Sequence, residues 1–116
     1  MITLLRTATW ACVTILAVLS LLPGKDMLRS GLPGHIEHFI AYAGTGMVAT
    51  AAYGPPNLRT VMLLWAYAGL LEYLQRFSPG RHPAVGDFLS SAFGTLCGTI
   101  ASIILRRAVR YLTVAN

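Results

Sequence analysis

Four long apolar stretches, each closed by proline or glycine, constrain this chain more than any other feature. They cover approximately residues 2–23, 35–53, 58–77 and 84–105. Each is close to the length of about 20 residues that one membrane-crossing helix needs. Pro-Gly or Gly-Pro pairs near residues 23, 54 and 79 separate them, as helix breakers do. The pattern predicts four helices joined by short loops.

The composition excludes the main soluble classes. Hydrophobic residues make up 55% of the 116 residues and charged residues only 11%, whereas a soluble domain carries roughly 25% charged residues. A disordered chain would need the opposite balance. We therefore predict an all-α, four-helix transmembrane bundle that forms a single domain over residues 1–116. The first stretch resembles a signal peptide, but it lacks a convincing cleavage site, and we interpret it as an uncleaved span.

The arrangement of arginines indicates how the bundle crosses the membrane. With four spans, both chain ends and the second loop share one side, which carries five arginines and no acid: Arg6, Arg59, Arg106, Arg107 and Arg110. Positive residues favour the cytoplasmic side, so we expect a multi-pass protein with both termini in the cytoplasm. Arginines that flank apolar runs indicate membrane lipids, and not nucleic acid, as partners.

All four acids fall on the opposite side, near the first and third loops, as do the three histidines. Alternating helix directions bring these groups to one depth near the membrane surface. Glu72 and Arg76 are spaced to pair along one helix face, and the Tyr42 hydroxyl is spaced to meet the His38 imidazole. The predicted polar site consists of His38, Tyr42, Glu72, Gln75, Arg76, Arg81, Asp87 and Ser91.

Such a cluster has several interpretations. Ionisable groups inside a span cost about 2.5–3.5 kcal/mol at its centre and less near the surface. The cluster therefore either fastens the helices together, binds a ligand, or consists of solvated helix ends. Arg76 and Arg81 suit a phosphate or carboxylate, such as a phospholipid head group or a lipid-linked cell-wall precursor. Alternatively, Arg81 pairs with Glu72 or Asp87 across the helices.

Metal and enzyme interpretations are also open. His35 and His38 with nearby acids would suit zinc, but this spacing is common in helices, and we expect no metal and no cofactor. Glu72 and Asp87 would suit an acid–base pair in an interfacial enzyme acting on a lipid-linked substrate. The chain shows no recognisable nucleophile, so catalytic residues remain unassigned and the balance is against an enzyme. A small oligomeric transporter is a further alternative.

Two glycines and the two cysteines lie within the apolar stretches. Gly94 and Gly98 stand four residues apart and favour close helix packing. We assign them to packing within the chain, with dimerisation, and hence a homo-oligomer, as the alternative. Cys12 and Cys97 lie inside apolar runs and do not indicate a disulfide.

Several of these residues form a familiar pattern. His38-Phe39-x-x-Tyr42 opens the second stretch, and Glu72-x-x-Gln75-x-Phe77-x-Pro79-Gly80-Arg81 is followed by Asp87 and the two glycines. From residue 22 to residue 98 the chain resembles the VanZ-like family of small bacterial membrane proteins. It departs from the family at Gly34-His35, where members often carry Asp-Lys, and at Ser91, where many carry asparagine.

The resemblance implies a protein of the bacterial inner (plasma) membrane with an accessory role at the cell envelope. The family takes its name from low-level resistance to the glycopeptide antibiotic teicoplanin. The resemblance implies no established enzymatic activity.

Overall fold

The structure is a computed structural model that describes residues 1–27, 29–54 and 58–116. Over these residues the fold is helical, with four α-helices and no strand. The helices are α1 (Ile2–Leu21), α2 (Gly34–Tyr53), α3 (Leu58–Leu74) and α4 (Val85–Ala115). The all-α prediction is confirmed. The loop predicted between the second and third stretches, residues 54–57, lies outside the described residues beyond Gly54.

The helix boundaries follow the local backbone chemistry. Pro33 stands directly before the first residue of α2, where its fixed φ suits a helix start. Gly54 follows α2 with a φ of 87°, which glycine adopts without steric strain. Single 3-10 turns follow α1, at Gly24–Asp26, and extend α3, at Gln75–Phe77. The third stretch is therefore a helix with a tighter last turn.

The fourth helix extends ten residues beyond its predicted end. It ends at Ala115 and not near Leu105, so it measures about 46 Å at 1.5 Å per residue. The chain after Gly98 contains neither glycine nor proline, and its alanine, leucine and arginine residues are good helix formers. Nothing in the backbone therefore ends the helix where the apolar stretch ends.

The second and fourth helices form the closest contact in the bundle. A Cβ atom added to Gly94 would lie 2.3 Å from the Phe39 carbonyl oxygen, and one added to Gly98 would lie 1.9 Å from that of Ala43. From the α2 side, a Cβ on Gly46 would lie 2.8 Å from the Thr95 carbonyl oxygen. The two glycines that the sequence assigned to packing thus lie directly against the α2 backbone.

The interior contains many small polar side chains, whereas large apolar side chains cover much of the outside. Thr95 and Thr50 are almost fully buried, and their hydroxyls bond to Ser91 and Thr99. Leu63 and Ile104, by contrast, are each more than 60% exposed. Small interior residues are typical of packing between membrane helices, and extended exposed apolar surface marks contact with a membrane or with another protein. By length and composition, α1 and α4 are able to cross a membrane.

The first and third helices complete the bundle. Leu16, Tyr42, Ala68 and Leu71 form a shared apolar core. The Trp65 indole donates a hydrogen bond of 3.1 Å to the Ala92 carbonyl, which joins α3 to α4. This arrangement brings the first and third loops together at one end of the bundle.

Candidate functional site

The C-terminal end of α1 is bonded to the third loop, residues 78–84. A helix leaves its last four carbonyl groups without partners inside the helix. Arg81 Nη2 donates to the Leu19 and Ser20 carbonyls of α1, at 2.6 and 2.8 Å. The Ser78 hydroxyl donates to the Leu21 carbonyl at 2.9 Å, and the remaining carbonyl accepts the N–H that follows the helix. All four groups are therefore satisfied without water.

Two glycines allow the first and third loops to touch. The Gly24 N–H donates to the Pro79 carbonyl at 2.7 Å. A Cβ atom on Gly24 would lie 2.4 Å from the Gly80 carbonyl oxygen, which no real side chain tolerates. Gly80 itself has a φ of 74°, a conformation that favours glycine. The contact thus fixes how the third loop lies over the end of α1.

Beside this contact, three helices bring together His38, Glu72 and Asp87, here called the cluster. His38 comes from α2, Glu72 from α3 and Asp87 from α4. His38 Nε2 lies 3.9 Å from Asp87 Oδ2, and one side-chain donor atom from each residue lies within 4.8 Å of the others. Glu72 is 8% exposed, whereas His38 and Asp87 are partly exposed. The structure therefore brings together three of the residues predicted for the polar site.

Hydrogen bonds hold the members of the cluster in place. Glu72 Oε1 accepts the Ala84 N–H at 2.8 Å, just before α4 begins. His38 Nδ1 lies 3.3 Å from Ser91 Oγ, and the Ser91 hydroxyl donates to the Asp87 backbone carbonyl at 2.9 Å. Ser91, which the sequence also assigned to the site, therefore orients the His38 ring.

A cavity of about 270 Å³ opens beside the cluster. His38 and Asp87 form part of its wall. Its other polar lining residues are Ser20, Arg29, Glu37, Tyr42, Gln75, Arg81 and His82. Its apolar wall includes Leu16 and Leu19 of α1 and Ala41 of α2. Both charged and apolar side chains therefore line the cavity.

Tyr42 and Gln75 lie in the cavity wall and are almost completely buried, at 3% and 4% exposure. Tyr42 also belongs to the apolar core. No hydrogen bond joins the Tyr42 hydroxyl to His38 within the described ranges, although the spacing predicted that contact. Tyr42 therefore borders the cavity without orienting the histidine.

Arg76 lies outside the cluster. Its guanidinium carbon lies 4.7 Å from the centre of the Tyr73 ring, and it makes no ion pair with Glu72 in the described part of the chain. The predicted pairing is wrong because the chain tightens into a 3-10 turn at Gln75–Phe77. Side chains three residues apart eclipse in a 3-10 helix, which brings Arg76 over Tyr73.

Arg81 has a structural role that the sequence did not indicate. Nε, Nη1 and Nη2 all donate, to the Ser20 and Leu19 carbonyls and to the Met27 sulfur. Burial lowers the pKa of the Arg81 guanidinium, and the nearby Glu72 charge opposes that shift. The predicted ion pair with Glu72 or Asp87 is not formed at 4 Å among the described residues. Most N–H groups of the Arg81 guanidinium, which was predicted to bind an anion, therefore bond to backbone carbonyls of α1.

Near the start of α2, His38 belongs to the cluster, whereas the neighbouring Glu37 bonds to the first loop. Glu37 Oε1 accepts hydrogen bonds from the Ser30 N–H and hydroxyl, at 2.9 and 2.7 Å. His35 is exposed and supplies no donor atom to the cluster. The histidine pair considered for zinc therefore does not converge.

The sequence did not indicate that α1 contributes to the site. Leu16, Leu19 and Ser20 line the cavity, and α1 carbonyls accept the bonds from the third loop. Backbone acceptors leave no mark in a sequence. The one available signal was Ser20, a small polar residue in the last turn of an apolar helix.

No family model matches this chain, and no curated protein or solved structure is significantly similar to it.

Proposed function

We propose that this chain is a four-span membrane protein of the VanZ-like type that binds the head group of an anionic amphiphile in the cavity beside the cluster. The amphipathic lining of that cavity is the observation that carries the ligand class. Its polar wall suits a head group, and its apolar wall of Leu16, Leu19 and Ala41 suits the start of an acyl chain.

Helix lengths support four spans. The hydrocarbon core of a bilayer is about 30 Å thick. α2 has 20 residues, and α3 has 17 residues followed by a 3-10 turn of three. At 1.5 and 2.0 Å per residue, each reaches about 30 Å. A backbone without water must satisfy its own polar groups, and the bonded carbonyls of α1 fit that requirement.

The charge distribution supports an orientation. Five of the nine lysine and arginine residues lie on the side of the chain ends and the second loop, against four on the opposite side. The positive-inside rule then favours both termini in the cytoplasm of a bacterial cell. In that topology the cavity opens toward the outer leaflet of the inner membrane, where lipid-linked cell-wall precursors and phospholipid head groups are both accessible.

Arg29 is the cation best available to the ligand. It lines the cavity and is exposed, and no carboxylate of the described residues lies within 4 Å of it. Arg81 adds positive charge behind it, although its own donors are largely occupied. An envelope accessory role, including a contribution to glycopeptide resistance, agrees with the motif that resembles the VanZ-like family.

Topology is tested by labelling single cysteines with an impermeant thiol reagent in intact cells. Arg59→Cys and His82→Cys are introduced separately into a chain whose native Cys12 and Cys97 are alanine. Four spans with cytoplasmic termini predict labelling at position 82 and protection at position 59. If only α1 and α4 cross the membrane, both positions are labelled. Labelling of position 59 alone would reverse the orientation.

Ligand binding is tested by native mass spectrometry of the purified chain in mild detergent. Phosphatidylglycerol is added as the anionic probe and phosphatidylethanolamine as its zwitterionic counterpart. We expect preferential retention of phosphatidylglycerol, which Arg29→Gln weakens. Arg107→Gln removes the same charge at the other end and is the matched control. Equal retention of both lipids, or an equal effect of both variants, would contradict the head-group proposal.

A further inference from the structure

We infer that His38, Glu72 and Asp87 bind a divalent transition metal ion of the zinc type, with one coordination position open to the cavity. This inference goes beyond lipid binding and does not depend on it, since it concerns the cluster alone.

The donor set suits zinc. One imidazole nitrogen and two carboxylate oxygens are common zinc ligands, and three protein ligands leave a fourth position for water or substrate. Bonds of about 2.0–2.2 Å imply ligand atoms roughly 3.4 Å apart in a tetrahedral site. The cluster atoms lie within 4.8 Å of one another, with His38 and Asp87 at 3.9 Å. Small side-chain rotations therefore complete the site.

Among the described residues, neither carboxylate of the cluster has a lysine or arginine within ion-pair distance, although Arg81 acts on both from farther away. In the part of the chain that the structure describes, no lysine or arginine nitrogen lies within 4.0 Å of an aspartate or glutamate oxygen. Glu72 is buried, and Asp87 lies beside it. Like charges placed this close in a partly desolvated site are unfavourable unless a cation or a proton lies between them.

The hydrogen bonds of Ser91 determine which nitrogen of His38 is free. The single Ser91 hydroxyl proton is directed to the Asp87 backbone carbonyl. Ser91 Oγ therefore accepts the bond from His38, and Nδ1 carries the hydrogen. In the neutral ring, Nε2 is left as a lone pair that faces Asp87 Oδ2 at 3.9 Å. A metal ion bound between this lone pair and the carboxylate would be attracted by both atoms.

The surroundings resemble the outer ligand shell of a metal site. Metal-bound histidines usually donate their other N–H to an oxygen, which fixes the ring and raises its basicity. Ser91 provides that oxygen for His38, and the Ala84 N–H holds Glu72 in the same way. His38 and Asp87 line the cavity, so the open coordination position faces the space proposed for the head group.

The test measures metal binding by the full chain in detergent. The protein is stripped with a chelator, incubated with zinc, freed of excess ion and analysed by mass spectrometry for metal per chain. We expect roughly one zinc per chain, as a site with three protein ligands predicts. Cobalt substituted for zinc should give the visible absorption of a tetrahedral site, a signature that surface binding does not produce.

Variants separate the cluster from other acids at the same end. Glu72→Gln and Asp87→Asn keep side-chain size and should each weaken zinc binding at least tenfold. Glu37→Gln is the matched control, because Glu37 bonds to Ser30 and lies outside the cluster. Zinc content that is equal in the wild type and in the Glu72→Gln/Asp87→Asn double variant would overturn the inference. If the double variant does not fold, the cobalt spectrum of the wild type becomes the test, and its absence would overturn the inference.

Discussion

The two ends of the bundle hold their polar groups in different ways. At the cluster end, side chains from three helices and two loops bond to one another and to the end of α1. At the opposite end, here called the basic end, Arg106 donates to the Ala51 carbonyl at 3.1 Å, and the Trp10 indole donates to the Tyr53 hydroxyl at 2.9 Å. The Arg6 guanidinium lies 5.2 Å from the Tyr53 ring centre.

The difference between the two ends indicates which end can form a specific site. Among the described residues of the basic end, Arg106 and Trp10 each donate one side-chain hydrogen bond, which another anchor of similar chemistry can replace. At the cluster end, each group constrains several others, so the positions of His38, Glu72 and Asp87 depend on the whole network. A defined site needs side chains held by such supporting bonds.

The largest difference between the two ends is expected for their arginines. Arg81→Met removes the charged donors of two α1 carbonyls, and we expect the free energy of unfolding to fall by about 2–4 kcal/mol. Arg106→Met removes one bond to Ala51 and should cost about 1 kcal/mol or less. Denaturant titration in detergent, followed by circular dichroism, measures both. Arg81→Lys should recover part of the loss, and equal effects of the two methionine variants would remove the contrast.

The contact between the first and third loops should have the second-largest effect on stability. In Gly24→Ala, the added methyl group meets the Gly80 carbonyl, and we expect a loss of about 1–3 kcal/mol, as for other overpacked sites. Gly34→Ala is the control in the same segment, because no atom lies within 4 Å of its Cβ position. Thermal unfolding of the two variants compares them. A neutral Gly24→Ala variant would show that the loops separate freely.

A smaller effect is expected inside the cluster. Ser91→Ala leaves His38 Nδ1 without its acceptor, and we expect a loss of about 1 kcal/mol. The ring should also become more mobile, which NMR of labelled histidine detects. Thr113→Ala, which removes an exposed hydroxyl from the same helix, is the control. An unchanged His38 signal would mean that Ser91 does not orient the ring.

The smallest effect is expected at the basic end. Trp10→Phe removes the exposed bond to the Tyr53 hydroxyl but keeps an aromatic ring, and we expect a change of at most about 0.5 kcal/mol. Differential unfolding against the wild type measures it. A loss as large as that of Arg81→Met would show that both ends are constrained alike.

The sequence predicted the elements and the location of the cluster well. Alternating helix directions sufficed to bring His38, Glu72 and Asp87 together, because the direction of each helix depends only on how many reversing loops precede it. Residue spacing failed for Arg76, since the i,i+4 argument assumes an α-helix that continues to its end. The structure has a 3-10 turn there. The partners of Arg81 were not predictable, because they are backbone carbonyls of a helix about sixty residues earlier.

That separation along the chain has a consequence for biosynthesis. The Leu19 and Ser20 carbonyls precede their partner Arg81 by 62 and 61 residues. At a translation rate of about 5–20 residues per second, α1 leaves the ribosome several seconds before Arg81 does. During that interval its C-terminal carbonyls need partners other than Arg81, such as water. The last bonds that fix α1 therefore form only after the third loop is made, and a chain that stalls earlier exposes an unfinished helix end.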